Sequence, residues 1–191
     1  MTRLQAVADS ARDLPCPLLV MDTAPAAALG ATLDPVAAKR ERKIVVNVGN
    51  FHTIAFRMNG ERIEGIFEHH TGEIDLPKLE GLLHRLADAS LQHADVFNDM
   101  GHGALMYTDE KFEFGKDDFD VVVTGPRRSM FQPSSFRLHP YFAVPFGDMM
   151  IAGCFGLLAA AGDALPELAA PVRRSMRGGG GVAPWDAGAS S

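Results

Sequence analysis

Between Ile44 and Glu68 the apolar residues fall in short runs separated by turn residues. Ile44 to Val48 is a β-branched run suited to a buried strand. After Gly49-Asn50 the apolar character resumes from Thr53 to Met58. Asn59-Gly60 then reads as the centre of a type I′ hairpin turn, whose two central residues both need positive φ. Arg62 to Glu68 returns as the partner strand, with Ile63 and Phe67 placed on one face by the period of two. The pattern predicts a strand, turn, strand, turn, strand meander.

Beyond the meander the period lengthens. Leu79, Leu82, Leu83 and Leu86 recur at helical spacing behind Pro77, with Asp75 or Leu76 at the cap. Ser90 to Phe97 predicts a short second helix, and Asn98 to Ala104 a Gly-bearing loop. Asp120 to Thr124 predicts another buried strand, stopped by Gly125-Pro126, and Arg127 to Gln132 a helix start. Asp148 is placed to cap a last helix, Met149 to Ala161, whose Gly153 and Gly156 permit close approach to a neighbour. Upstream, Pro17 to Met21 reads as a short strand and Ala24 to Ala31 as a helix. A meander followed by a crossover helix points to an α/β fold with a mixed sheet. The expected organisation is a remnant of a preceding domain or a linker over residues 1–35, an α/β domain over 36–165, and a disordered tail over 166–191. The tail reading rests on its Arg-Gly-rich and then Gly, Ala and Ser composition, including Gly178 to Gly181.

At 191 residues the chain suits one well-filled core. A net charge of −6 argues against a nucleic-acid binder or a partner of anionic membranes. The N-terminus lacks the apolar stretch of a signal peptide, and Pro145, Asp148 and several glycines interrupt the most apolar late segment. A cytoplasmic setting is the expectation. Cys16 and Cys154 are the only cysteines and are far apart, so they predict neither a disulfide framework nor a Cys-rich metal site.

Candidate chemistry gathers in loops. Asn47 to Thr53 is a strand ending in a Gly turn, the kind of element whose backbone N–H groups converge on an anion, although an ordinary hairpin turn has the same pattern. Glu68 to Gly72 and Asn98 to Gly103 set imidazoles beside carboxylates. Through them His52, His69, His70, Asp99 and His102 are candidates for a divalent metal site, with His69 and His70 as ligands and His52, Asp99 and His102 as catalytic groups. The spacing matches no specific zinc template. Val121 to Arg128 is a buried strand emptying into a Gly turn and paired arginines, where open α/β sheets meet their ligands. Arg127 or Arg128 is able to pair a phosphate or carboxylate there.

These segments together resemble a family labelled putative pyruvate formate-lyase activating enzyme. The resemblance is carried by Val20 to Thr23 with Ala26 to Gly30, Asn47 to Thr53, Gly65 to Gly72, Gly101 to Ala104, Thr124 to Arg128 and Gly147 to Met150. It implies the second, ribonuclease H-like domain of an actin-like ATPase fold: a mixed sheet with flanking helices beside a nucleotide cleft, the other domain being absent or supplied by a partner subunit. It further implies ATP with Mg2+ as ligand, Gly49, Asn50, His52 and Thr53 toward phosphate, and Gly125 toward the nucleoside, beside Arg127 as the phosphate partner read from the residues themselves. The superfamily usually has Asp at the position of Asn47, and an amide neither takes a proton nor shares a metal's charge as a carboxylate does. The label's own chemistry does not fit, because radical activation needs an iron–sulfur cluster on three closely spaced cysteines. The functional readings are a nucleotide-binding domain with ATP hydrolysis or phosphoryl transfer, a metal-dependent hydrolase using the His/Asp loops, and a non-catalytic binding or assembly module.

Overall fold

The structure is a computed structural model that describes residues 2–131 and 137–176. Its centre is a sheet of six strands: β1 (Arg42–Val48), β2 (His52–Asn59), β3 (Arg62–His70), β4 (Gly103–Met106), β5 (Val121–Thr124) and β6 (Pro140–Phe142), in the order β4-β3-β2-β1-β5-β6. The β1 to β4 pairings are antiparallel, while β5 runs parallel to β1 and β6 parallel to β5. This mixed sheet with helices on both faces is the α/β, ribonuclease H-like architecture expected from the sequence. The predicted meander is present, and β4 forms where a loop was expected.

Strand alternation sends the two sets of side chains into different layers. Ile44, Val46, Val48, Ala55, Phe67, Val121 and Val123 face a core closed by α4 (Leu76–Ala87) and α5 (His93–Phe97). Asp75 caps α4 as predicted, accepting from the Lys78 N–H at 2.9 Å. Val45, Ile54, Phe56, Met58 and Val122 face the opposite layer, with Ala28, Ala31 and Ala37 of α2 (Thr23–Thr32) and α3 (Pro35–Ala38).

Small residues build that second layer. Helix α6 (Ala152–Ala164) lies so close to α2 that a Cβ on Gly30 would sit 1.8 Å from the Ala152 carbonyl oxygen, and one on Gly156 1.9 Å from that of Ala26. The predicted closeness at Gly156 is thus present, and α2 belongs to the packed unit. The boundary expected at residue 35 therefore falls inside one continuous layer. Asp34 caps α3 through the N–H groups of Val36 and Ala37 and ties it to the far edge of the sheet, accepting from the Tyr141 hydroxyl at 2.8 Å and the Val144 N–H at 2.9 Å. Burial pushes the Asp34 carboxyl up, but the bonds from Val144, Tyr141, Val36 and Ala37 outweigh it and hold the group below its ordinary value. Burial and the Asp34 bond push the Tyr141 hydroxyl up to about 12.

Several local expectations change. Pro17 to Met21 is irregular rather than a strand. The β2–β3 loop is Gly60-Glu61, and only Gly60 has positive φ (59°), so glycine occupies the first central position of the turn. The register shifts between Arg57 and Met58: Met58 faces Ile63, yet Arg57 faces Gly65, leaving Glu64 as a bulge. The shift separates Ile63, which is exposed, from the fully buried Phe67. Asp148 does not cap α6; it accepts from the Met150 N–H at 2.7 Å, ahead of an N-cap at Ile151. Arg128–Phe131 is a single 3-10 turn, and Gln132 lies outside the described residues. Three helices were not expected, α1 (Thr2–Ser10), the four-residue α3 and α7 (Pro166–Met176), the last packed on α6 with Val172 buried. The tail reading is corrected over residues 166–176, and 177–191 lie outside the described residues.

Candidate functional site

Beyond the carboxyl ends of the parallel strands β1 and β5 lies a cleft of about 960 Å³, lined among others by Asn47, Gly49, Asn50, His52, Glu68, His102, Thr124 and Gly125. This is the position at which open α/β sheets bind ligands. The pleat decides which residues reach it. Asn47, His52, Glu68, His70 and Thr124 share the parity of Val45, Ile54, Ile66 and Val122, so they belong to the α2/α6 side of the sheet.

The two glycine turns meet here. Gly125 has φ +102°, and a Cβ on it would lie 2.5 Å from the Val48 carbonyl oxygen and 2.8 Å from Asn47 Oδ1, so only glycine lets the end of β5 settle against the end of β1. The Gly49 N–H donates to the His52 carbonyl oxygen at 2.9 Å. Gly49 therefore closes its turn instead of offering its amide to an anion. Thr53 points to the α4 side, where its hydroxyl meets that of Thr71 at 3.0 Å, and Thr71 Oγ1 in turn donates to the Gly49 carbonyl oxygen at 2.9 Å. Thr53 thus holds the turn from behind. The Arg127 N–H donates to the Val48 carbonyl oxygen at 3.0 Å, and Arg127 itself is exposed and outside the cleft lining. Thr124 is 1% exposed at the end of β5, and its hydroxyl has no hydrogen-bond partner among the described residues. It is a buried polar atom at the wall of an open cleft.

The histidines divide into two groups. His52 and His70 are direct partners across β2 and β3, and His102, just before β4, donates its N–H to the Glu68 carbonyl oxygen at 2.9 Å. Their ring centroids are 5.0 Å (His52–His70), 4.9 Å (His52–His102) and 4.6 Å (His70–His102) apart. One ring nitrogen from each lies within 4.8 Å of the others. The Glu68 carboxylate approaches His52 Nδ1 to 3.9 Å.

His69 is elsewhere. It is fully buried on the α4 side, with Nδ1 3.1 Å from the His70 carbonyl oxygen and Nε2 3.3 Å from Asp99. Lys78 Nζ reaches the same Asp99 oxygen at 2.8 Å, and the bonds from Lys78 and His69 hold the Asp99 carboxyl below its ordinary value. Consecutive residues of a strand face opposite ways, so His69 and His70 do not converge, and neither His69 nor Asp99 joins His102. What the sequence reading lacked was Glu68 and Thr124 as site residues. The signal was present as the spacing of two between Glu68 and His70, and between Val122 and Thr124.

A second cavity, of about 940 Å³, opens at the amino end of β1 beneath α7 and is lined by Arg40, Lys43, Gly162 and Val172, among others. Its buried lysine is satisfied, since Lys43 donates to the Arg40 carbonyl oxygen. The free cysteines Cys16 and Cys154 are both exposed and line neither cavity. Among the described residues no helix is long and apolar enough to cross a membrane.

No curated protein and no solved structure matches the chain. The family model described as "Putative pyruvate format-lyase activating enzyme (DUF1786)" matches residues 1–130, a span that carries both glycine turns and all three clustered imidazoles, and the chain belongs to that family.

Proposed function

We propose that the cleft binds a nucleotide through its phosphates, and that the chain is the nucleotide-binding domain of an actin-like ATPase or kinase-like protein. The observation that carries this reading is the Thr124 hydroxyl, buried without a partner between the Gly49 and Gly125 turns. An unpaired buried hydroxyl costs about 1–3 kcal/mol, and a phosphate oxygen or its bound water removes that cost. The Asn47 side chain stands between the two turns, its Oδ1 toward Gly125 and its Nδ2 toward Gly49, and the Nδ2 group is a further donor. Both are neutral donors, in keeping with a chain of net charge −6. Asn47 cannot serve as a base, so hydrolysis would draw on a carboxylate outside β1. The family's name implies a radical activase, and two distant exposed cysteines do not fit the cluster that chemistry requires.

The test is calorimetric titration of the full chain with ATP and ADP in the presence of Mg2+, beside the isosteric Thr124→Val variant. Binding that weakens about tenfold in Thr124→Val, the loss of one good hydrogen bond to a charged group, supports the reading. Absence of heat and of any thermal stabilisation with either nucleotide overturns it.

A further inference from the structure

The geometry points to a site for one divalent transition-metal ion on His52, His70 and His102 at the rim of the cleft. Each imidazole comes from a different element, yet the sheet fixes all three: His52 opens β2, His70 closes β3 directly opposite it, and His102 is tied to β3 by its own N–H just before β4. Their ligand nitrogens already lie within 4.8 Å of one another. Metal–nitrogen bonds of about 2.0–2.1 Å set tetrahedral ligand nitrogens about 3.3 Å apart, so rotation about side-chain bonds has to bring them together by up to about 1.5 Å. Among the described residues the three rings make no side-chain hydrogen bond, and their one approach to a carboxylate is that of Glu68 to His52 Nδ1 at 3.9 Å.

Donor chemistry sets the class of ion. Imidazole suits zinc, cobalt, nickel or copper, whereas magnesium and calcium prefer oxygen ligands. A set of three imidazoles leaves a fourth position open, and catalytic rather than structural zinc sites keep such a position. Glu68 is placed as the outer carboxylate: at 3.9 Å from His52 Nδ1 it needs a small movement to accept that N–H, which leaves Nε2 of the ring for the ion. His52, Glu68 and His102 also line the cleft, so the open position of a bound ion would face whatever the cleft holds. The inference stands without the nucleotide reading, because it uses neither Thr124 nor Gly125.

The experiment titrates untagged, chelator-treated full chain with Co2+ and with Zn2+ alone, nucleotide omitted, by calorimetry and visible absorption. The expected result is a single ion per chain, four-coordinate cobalt bands, and no displacement by excess Mg2+. Each of His52→Gln, His70→Gln and His102→Gln should weaken binding by at least about tenfold, while His84→Gln, on the exposed side of α4, should leave it unchanged. A readout that needs no variant uses diethyl pyrocarbonate on the wild-type protein: Zn2+ should shield His52, His70 and His102 and leave His84 reactive. Binding that survives the three substitutions, shielding of other histidines, or no binding tighter than about millimolar overturns the proposal.

Discussion

The two sides of the sheet treat polar groups in opposite ways. On the α4 side even the charged residues are closed off. Arg57 is 1% exposed and donates to Glu64 at 3.1 Å and to the last carbonyl oxygens of α4, Leu86 and Ala87, while His69, Thr53 and Thr71 are each bonded to a neighbour. On the α2/α6 side the helices pack through alanine and glycine, with Asp34 as a bonded exception; a cleft opens at one end, and the Thr124 hydroxyl, His52 and His102 line it without strong partners, His70 standing beside them. Satisfied polar groups rigidify a scaffold, and unsatisfied ones beside a cleft mark where a ligand completes the structure.

Four substitutions sharpen or break that contrast. The largest effect belongs to Arg57→Ala, which leaves Glu64 with Asn59 in place of its guanidinium partner and uncaps the end of α4; a loss of about 3–5 kcal/mol is expected in urea denaturation. A loss below about 1 kcal/mol would mean that the α4 side does not depend on its charged pair. Gly156→Val comes next. Its added atoms meet the Ala26 carbonyl, and prying α6 from α2 should cost about 3 kcal/mol, with thermal unfolding as the readout.

Asp34→Ala should cost about 2 kcal/mol near neutral pH, because it removes a cap and leaves the Tyr141 hydroxyl and the Val144 N–H without their acceptor. Here the sign of the pH dependence follows from the lowered carboxyl. The Asp34 contribution is fully present above the unfolded value of 3.8 and is lost as pH falls through the lower folded value, so the penalty of the variant should shrink in acid. A penalty independent of pH would show that the carboxylate charge is irrelevant to the cap. The smallest change is the stability of Thr124→Val, expected within about 1 kcal/mol of the parent and on the stabilising side, since an unpaired hydroxyl gives way to a methyl. Destabilisation beyond that range would show that the hydroxyl has a structural partner.

Much of the scaffold was legible. The β-branched run at Ile44 and the leucines of α4 announce their elements because each buries one regular face. Helix α7 was missed because its segment carries Pro171 and an Arg-rich end, and its order comes from packing Val172 on α6, a tertiary effect invisible to composition. The site was half legible. Its glycines, His52 and His102 stood out as loop residues, while His70 was drawn together with His69 because adjacency in sequence was read as proximity in space. A strand converts adjacency into separation, and Glu68, two positions away, is the residue that shares a side of the sheet with His70.

The bulge at Glu64 extends that lesson beyond its own turn. Counted from the Asn59–Arg62 pair without an extra residue, β3 would bring His69, not His70, opposite His52. Glu64 shifts the count by one, while its carboxylate answers the Arg57 guanidinium. Drawing Glu64 into regular pairing with Arg57 would therefore act like a frameshift in three dimensions, exchanging two identical side chains between the interior and the cleft without changing any residue, whereas deleting Glu64 would remove the bulge and keep His70 opposite His52.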